Sequence, residues 1–341
     1  MILGIFLNLN FLLIWSIPIF VQGYIYHKTF LGDFCHYFYK CLDKLLSRYS
    51  SLIYSSSQHT DYCTSAFLAF SFVVLNLILY CSGKISTLVY VMNWVGIGGS
   101  SMGISYTFAH KEGHNPFLYR FKVNIFENWI GLIYGNVPYN FTTSHIHIHH
   151  ALDGKKGDTF YLWDFPRNSV INFVKYTERV FLHMIGISSL MYFWRNNMRR
   201  QFFLLLRGCF IYWIIFPLCL YFLTTSFVVL FVVWLQPLLC MTVFLSLMNL
   251  GFHAFFEYDV NGKSDETVST VKIIDSIDDY FGENDHYGHH YGSRGQCKSL
   301  FYRISILELA IYVIFDSFNE LAKYSDIKSD VLRRRAECCE Y

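Results

Sequence analysis

Charge is scarce in this sequence: 15% of its 341 residues are Asp, Glu, Lys or Arg, against about 25% in an ordinary soluble domain. Hydrophobic residues make up 54% and mean hydropathy is +0.32. A soluble fold cannot easily hide so much apolar chain, which implies a membrane protein. The net charge of +2 removes any global case for a nucleic-acid partner. The ten cysteines form no CxxC pair, and Cys63, Cys81, Cys209, Cys219 and Cys240 fall in or beside apolar runs. They read as small hydrophobes in a reducing setting, not as a disulfide framework or zinc site. Cys338 and Cys339 follow Arg333, Arg334 and Arg335; a palmitoylation site is one reading, and a basic tail that frays is the favoured one. The sequence has no internal repeat, no low-complexity tract and no separate soluble domain.

What is present is a set of long apolar stretches. Residues 2–22 are almost purely apolar, with Asn8 and Asn10 as exceptions, and form a membrane span or a signal-like anchor. Stretches 62–82 and 86–108 are joined by a turn at Ser82-Gly83-Lys84; 203–223 and 226–250 are joined near Thr224-Thr225-Ser226. Each is about 20 residues, enough to cross a hydrocarbon core about 30 Å thick. The short joints predict two transmembrane helical hairpins, with kinks at Pro217 and Pro237. A hairpin returns the chain to the face it left, so 109–200 and 251–341 are expected on one side. Segment 109–200 holds eleven Lys/Arg against six Asp/Glu, which points that side to the cytosol. The apolar runs 180–194 and 301–318 are expected as interfacial helices. The expected fold is an all-α integral membrane protein, with two hairpins, a possible N-terminal span and a cytosolic helical cap.

Nine of the fourteen histidines gather in three clusters. The first is His110-Lys-Glu-Gly-His114. The second is His145-Ile-His147-Ile-His149-His150. The third is His286-Tyr-Gly-His289-His290. On a helix, residues three or four apart share a face. His110 and His114 can therefore hold one metal, as can His145 with His149, and His286 with His290. A helical second cluster turns His147 away. An extended one puts His145, His147 and His149 on one face; the helix is favoured. Neutral imidazole suits Fe, Zn, Cu and Ni, but eight or nine histidines exceed the four ligands of one tetrahedral zinc. Two metals with open positions fit the count, and an apolar, O₂-permeable setting favours iron. His27, His36, His59 and His183 read as surface or hydrogen-bonded core residues. Glu112, Asp153, Asp158, Glu257, Asp259 and Asp285 lie near enough to orient ligands, and each reads equally as a solvated charge. Gly154, Gly157, Gly288 and Gly292 suggest tight turns near the metals.

The clusters and their order (hairpin, two boxes, hairpin, third box) resemble the membrane fatty acid desaturase and hydroxylase superfamily over roughly residues 62–295. The resemblance implies that His110, His114, His145, His149, His150, His286, His289 and His290 ligate two Fe(2+) ions, with O₂ as co-substrate. It also implies a ligand between the second hairpin and the third box, where His253 and Asn249 stand; His147 is a further possible ligand. The chain then divides into an N-terminal anchor and linker (1–61), the di-iron domain (62–295) and an amphipathic tail (296–341). Expected partners are a lipid acyl chain, the membrane and a separate electron donor such as cytochrome b5 with its reductase. No His-Pro-Gly-Gly haem motif occurs, and none of the six prolines follows a histidine. By analogy the location is the endoplasmic reticulum. The first box HKEGH departs from relatives in its lysine.

The implied activity is acyl-chain desaturation. Hydroxylation of fatty acids, sphingolipids, sterols or alkanes uses the same boxes. A membrane metal transporter is a distant alternative, which would place ionisable residues along its spans. A protease of the HExxH type needs glutamate beside the first histidine, and here Glu112 is two residues on.

Overall fold

The computed structural model describes residues 1–46, 63–114, 124–274, 285–292 and 296–340. Most of them are helical. The main helices are α1 (Ile2–Tyr26), α2 (Phe30–Leu46), α3 (Cys63–Cys81), α4 (Thr87–Val95), α5 (Ser100–His114), α6 (Phe141–His149), α7 (Val170–Met184), α8 (Ile187–Arg195), α9 (Arg199–Thr224), α10 (Phe227–His253), α11 (His286–Tyr291), α12 (Ile306–Ile314) and α13 (Ser329–Glu337). Two short strands, β1 (Lys272–Ile274) and β2 (Leu300–Tyr302), pair in parallel and depart from the otherwise helical character of the described residues. A parallel pair needs a crossover, and the segment joining these strands carries the third histidine cluster.

Helices α1, α9 and α10 are long and apolar enough to cross a membrane. Leu13, Phe20, Phe222 and Leu223 on them are 73–82% exposed. Such surface is costly in water and at home in hydrocarbon. Each of these helices widens to π-winding for one turn just before a proline: Phe11–Trp15 before Pro18, Ile211–Ile215 before Pro217 and Phe231–Leu235 before Pro237. Proline lacks an N–H and its ring crowds the carbonyl four residues back, so the preceding turn must open. Helices α9 and α10 form the second hairpin, reversed by Thr225 at φ 51° and started again by the Ser226 cap. Across it Tyr212 Oη donates to the Trp234 carbonyl at 3.0 Å.

Other stretches differ from expectation. The run 86–108 is broken into α4 and α5 at Gly96-Ile-Gly-Gly, where Gly96, Gly98 and Gly99 all adopt positive φ. Three residues so free to leave the right-handed region end a helix that hydropathy alone would continue. Gly186, at φ 86°, likewise parts α7 from α8. The run 301–318 contains helix α12, which buries Leu309, Ala310 and Val313 on one face and leaves Ile311 exposed on another. The basic C-terminal run does not fray, since α13 holds it.

The chain divides into two interleaved units: Met1–Asn8, His147–His183 and Thr242–Tyr341 form the first, and Leu9–Ile146 with Met184–Met241 the second. The first unit is centred on Phe255, Phe256, Phe301 and Trp163, with Phe255 and Phe301 rings 5.5 Å apart and Trp163 stacked on Phe256 at 4.6 Å. The second is pinned by a Trp15–Trp94–Tyr134 stack with 4.7 Å between successive rings. Its polar tips are satisfied: Trp15 Nε1 donates to Gln236 Oε1 at 3.1 Å and Trp94 Nε1 to the Ile133 carbonyl at 2.9 Å. Buried aromatics of this kind bring area and a directional contact together.

Candidate metal centre

The first unit assembles four histidines from three helices. His149 ends α6, His253 ends α10, and His286 and His290 stand four apart on α11. One ring nitrogen from each lies within 4.8 Å of the others. His286 Nε2 is 3.1 Å from His253 Nε2 and 3.2 Å from His290 Nε2.

The outer nitrogens decide what the inner ones can do. His149 Nδ1 meets Asp158 Oδ2 at 2.7 Å, His290 Nδ1 meets Asp153 Oδ1 at 3.0 Å, and His253 Nδ1 meets the Ser269 carbonyl at 3.0 Å. A carboxylate and a carbonyl only accept, so each Nδ1 carries the proton and each Nε2 is a bare lone pair. His253 and His290 both aim a lone pair at His286 Nε2, at 3.1 and 3.2 Å; a single N–H there can serve only one of them, whereas a cation satisfies all three nitrogens. Adjacent ligands on one ion with bonds of about 2.1 Å stand about 3.0–3.4 Å apart, so the quartet fits a metal. Burial, then the neighbouring histidines, push His286 well below its ordinary pKa, which keeps it neutral and able to ligate. Asp158 is itself buried. Burial pushes its carboxyl up, but the His149 imidazole and the N–H groups of Gly154 and Phe160 outweigh that and hold it below the usual range. Asp153 also accepts from Tyr291 Oη at 2.9 Å. In the same unit, His150 Nε2 and His289 Nε2 form a further pair at 3.1 Å.

The second unit brings together His110 and His114 from α5 and His145 from α6, with ring nitrogens within 4.8 Å of one another. His110 Nε2 and His145 Nε2 are 2.7 Å apart. Two buried carboxylates tie the backbone beneath them. Glu112 accepts from Ile125 N at 3.1 Å and Glu127 N at 2.9 Å; Glu127 accepts from Thr142 N at 2.7 Å and Thr142 Oγ1 at 2.6 Å. Burial pushes Glu112 up to about 8 and Glu127 above its ordinary value.

His145 and His149 thus do not share one group, contrary to the reading from their spacing. The segment Phe141–His149 is wound as a π-helix, with i→i+5 bonding, so the four-residue face of an α-helix does not carry over to it and the neighbouring helices decide. His147 joins neither group and is half-buried. Asn249, one turn before His253, donates its amide to Tyr176 Oη. Of the proposed orienting carboxylates, Asp153 and Asp158 hold histidines. Glu257 instead pairs with Arg334 and Arg335, exposed Asp259 accepts from Asn261 and Lys263 backbone N–H groups, and Asp285 caps α11 through Gly288 N at 3.0 Å. His183 is buried in the core beside Phe160, and burial takes it down to about 4. The side chains of His27 and His36, and all of His59, lie outside the described residues. The Ser269 carbonyl, Tyr291 and Glu127 carry no sequence signal that marks them.

The family model for fatty acid desaturase matches residues 85–293, a span that includes every histidine of these groups. The chain belongs to the fatty acid desaturase family. No curated protein and no solved structure matches it. This desaturase-family chain is an integral membrane protein and an oxidoreductase of the desaturase/hydroxylase type, with histidine groups suited to metal.

Proposed function

We propose that the chain is an O₂-dependent desaturase of lipid acyl chains that works with two ferrous ions held by its histidines. The observation that carries this is the quartet in which His149, His253 and His290 commit their Nδ1 protons outward, while the Nε2 lone pairs of His253 and His290 both converge on His286 Nε2. His149, His253, His286 and His290 would hold one ion, and His110, His114 and His145 another, with His150 and His289 as further imidazoles. Bound iron supplies O₂ activation and removal of hydrogen from an unactivated C–H bond. The protein's part is to hold the ligands rigid. Asp158, Asp153 and the Ser269 carbonyl keep His149, His290 and His253 in their ligating tautomers and fix their planes. The apolar spans keep the acyl chain out of water and restrict which carbon approaches. Electrons would come from a separate donor such as cytochrome b5 with its reductase, docked on a basic cytosolic face of the endoplasmic reticulum membrane.

The test is lipid mass spectrometry after expression in a host with its own cytochrome donor, beside the double variant His289→Ala/His290→Ala. A new lipid lighter by two hydrogens that needs both histidines is the expected result. A product heavier by one oxygen assigns hydroxylation instead. Neither product, together with purified protein free of iron, removes the di-iron reading.

A further inference from the structure

Arg167 is the feature of the first unit that the chemistry above leaves unused. It is among the largest side chains in the protein to be fully buried, at 1% exposure. A buried guanidinium is normally paired with a carboxylate. Here three acceptors are neutral backbone carbonyls, and the Cys339 thiol is a further side-chain partner: Nε donates to Ala254 at 3.1 Å, and the terminal nitrogens to Phe165 at 2.9 Å and Arg335 at 2.8 Å. Two of these carbonyls lie at helix C-termini. Ala254 directly follows His253, the last residue of α10, and Arg335 is in the last turn of α13. The negative ends of two helix dipoles therefore face one cation, which accounts for its tolerance of burial.

The contacts around Arg167 link three segments. Trp163 Nε1 donates to the His253 carbonyl at 3.0 Å, so the helix end that presents His253 is capped from the same stretch that supplies Asp153 and Asp158. The C-terminal segment is bound to both sides of this junction. Arg167 N donates to the Ala336 carbonyl at 3.0 Å, Phe256 N to the Arg335 carbonyl at 3.1 Å, and Glu340 N to the Trp163 carbonyl at 2.8 Å. Arg334 and Arg335 add ion pairs to Glu257 at 2.8 and 2.9 Å.

We propose that residues 329–340 are a strap that positions the histidine quartet, fastened through the positioning residue Arg167. The hydrogen bonds and ion pairs of the strap described above go to Trp163, Arg167, Phe256 and Glu257 rather than to a histidine. The strap holds the backbone on which His253 sits, and the stretch 153–167 that orients His149 and His290. The inference rests on the metal reading of the quartet.

The test uses cobalt(II) chloride titrated anaerobically into the full-length, metal-free protein in detergent, following the ligand-field absorption bands that report the geometry of bound cobalt. The variants are Arg167→Met, Arg167→Lys, a stop after Lys328, and the combination of Arg167→Met with that stop. Arg167→Met should weaken cobalt binding at least tenfold and shift the bands while far-ultraviolet circular dichroism stays as in the parent; Arg167→Lys should recover part of the affinity. The stop should have the same effect, and the combined variant should be no worse than either alone, because both remove one device. Should Arg167→Met fail to fold, Glu257→Gln replaces it: the amide keeps the size and an acceptor oxygen for Arg334 and Arg335 while removing the charge, and a few-fold loss with the same spectral shift is expected. Unchanged affinity and bands in the folded variants, or losses that multiply in the combined one, overturn the strap. A parent protein that takes up no cobalt overturns the metal reading and the strap with it.

Discussion

Asp158 shows how much one side chain governs when it is buried beside a ligand. It accepts from His149 and from two backbone N–H groups, so both its charge and its shape are used. Asp158→Asn keeps the size but turns an amide NH₂ toward donors that need an acceptor. Metal affinity at the quartet should fall about 10- to 100-fold, the usual cost of losing an orienting carboxylate. Equilibrium metal titration reads this, and Asp259→Asn, at an exposed turn, is the control that should change nothing. Asp158 and Asp259 looked alike in sequence, each a carboxylate near a histidine box. What separates them is burial and the partner across the fold, which composition and spacing do not encode.

At the scale of elements, helix α6 is the informative one. Its sequence announces a metal-binding face through His145, His149 and His150, and the structure confirms a helix there. The division of that face is a tertiary matter. His145 meets a residue 35 positions earlier, His110, whereas His150 meets one 139 positions later, His289. Single substitutions should reveal the division. His145→Ala and His149→Ala should each lower bound metal from about two ions per chain to about one, since each strips a ligand from a different group. Elemental analysis of purified protein checks this, and complete loss in both variants would argue for a single shared ion. The glycine break between α4 and α5 carries a second lesson. Hydropathy sums over the run and sees one span, while three positive-φ glycines end the helix locally. That signal, Gly-Ile-Gly-Gly, was legible and was outweighed by the apolar count.

For the whole molecule, converging lone pairs with no cation between them are a destabilising feature that metal relieves. A metal that binds the folded chain and not the unfolded one stabilises it by mass action, by about 2.7 kcal/mol at a hundredfold excess over Kd. Thermal unfolding in detergent should therefore shift upward when Fe(II) or Co(II) is added and downward with a chelator. The shift should be lost in the combined variant His286→Ala/His290→Ala, and its persistence there would place the bound metal elsewhere.

The sequence alone determined the class of this protein. Charge scarcity and five apolar stretches require a bilayer, because nothing else satisfies that much apolar surface. Clustered histidines at helical spacing point to metal, because helical periodicity brings side chains three or four apart onto common faces. These are local properties, set within a few residues. The tertiary structure decided everything that depends on distant neighbours: which histidines share an ion, which carboxylates orient them, and that a C-terminal run which reads as a loose tail is bound beside His253. A side chain's partner is fixed by which backbone packs against it, and those packings join residues more than a hundred positions apart, beyond the reach of any periodicity along the chain.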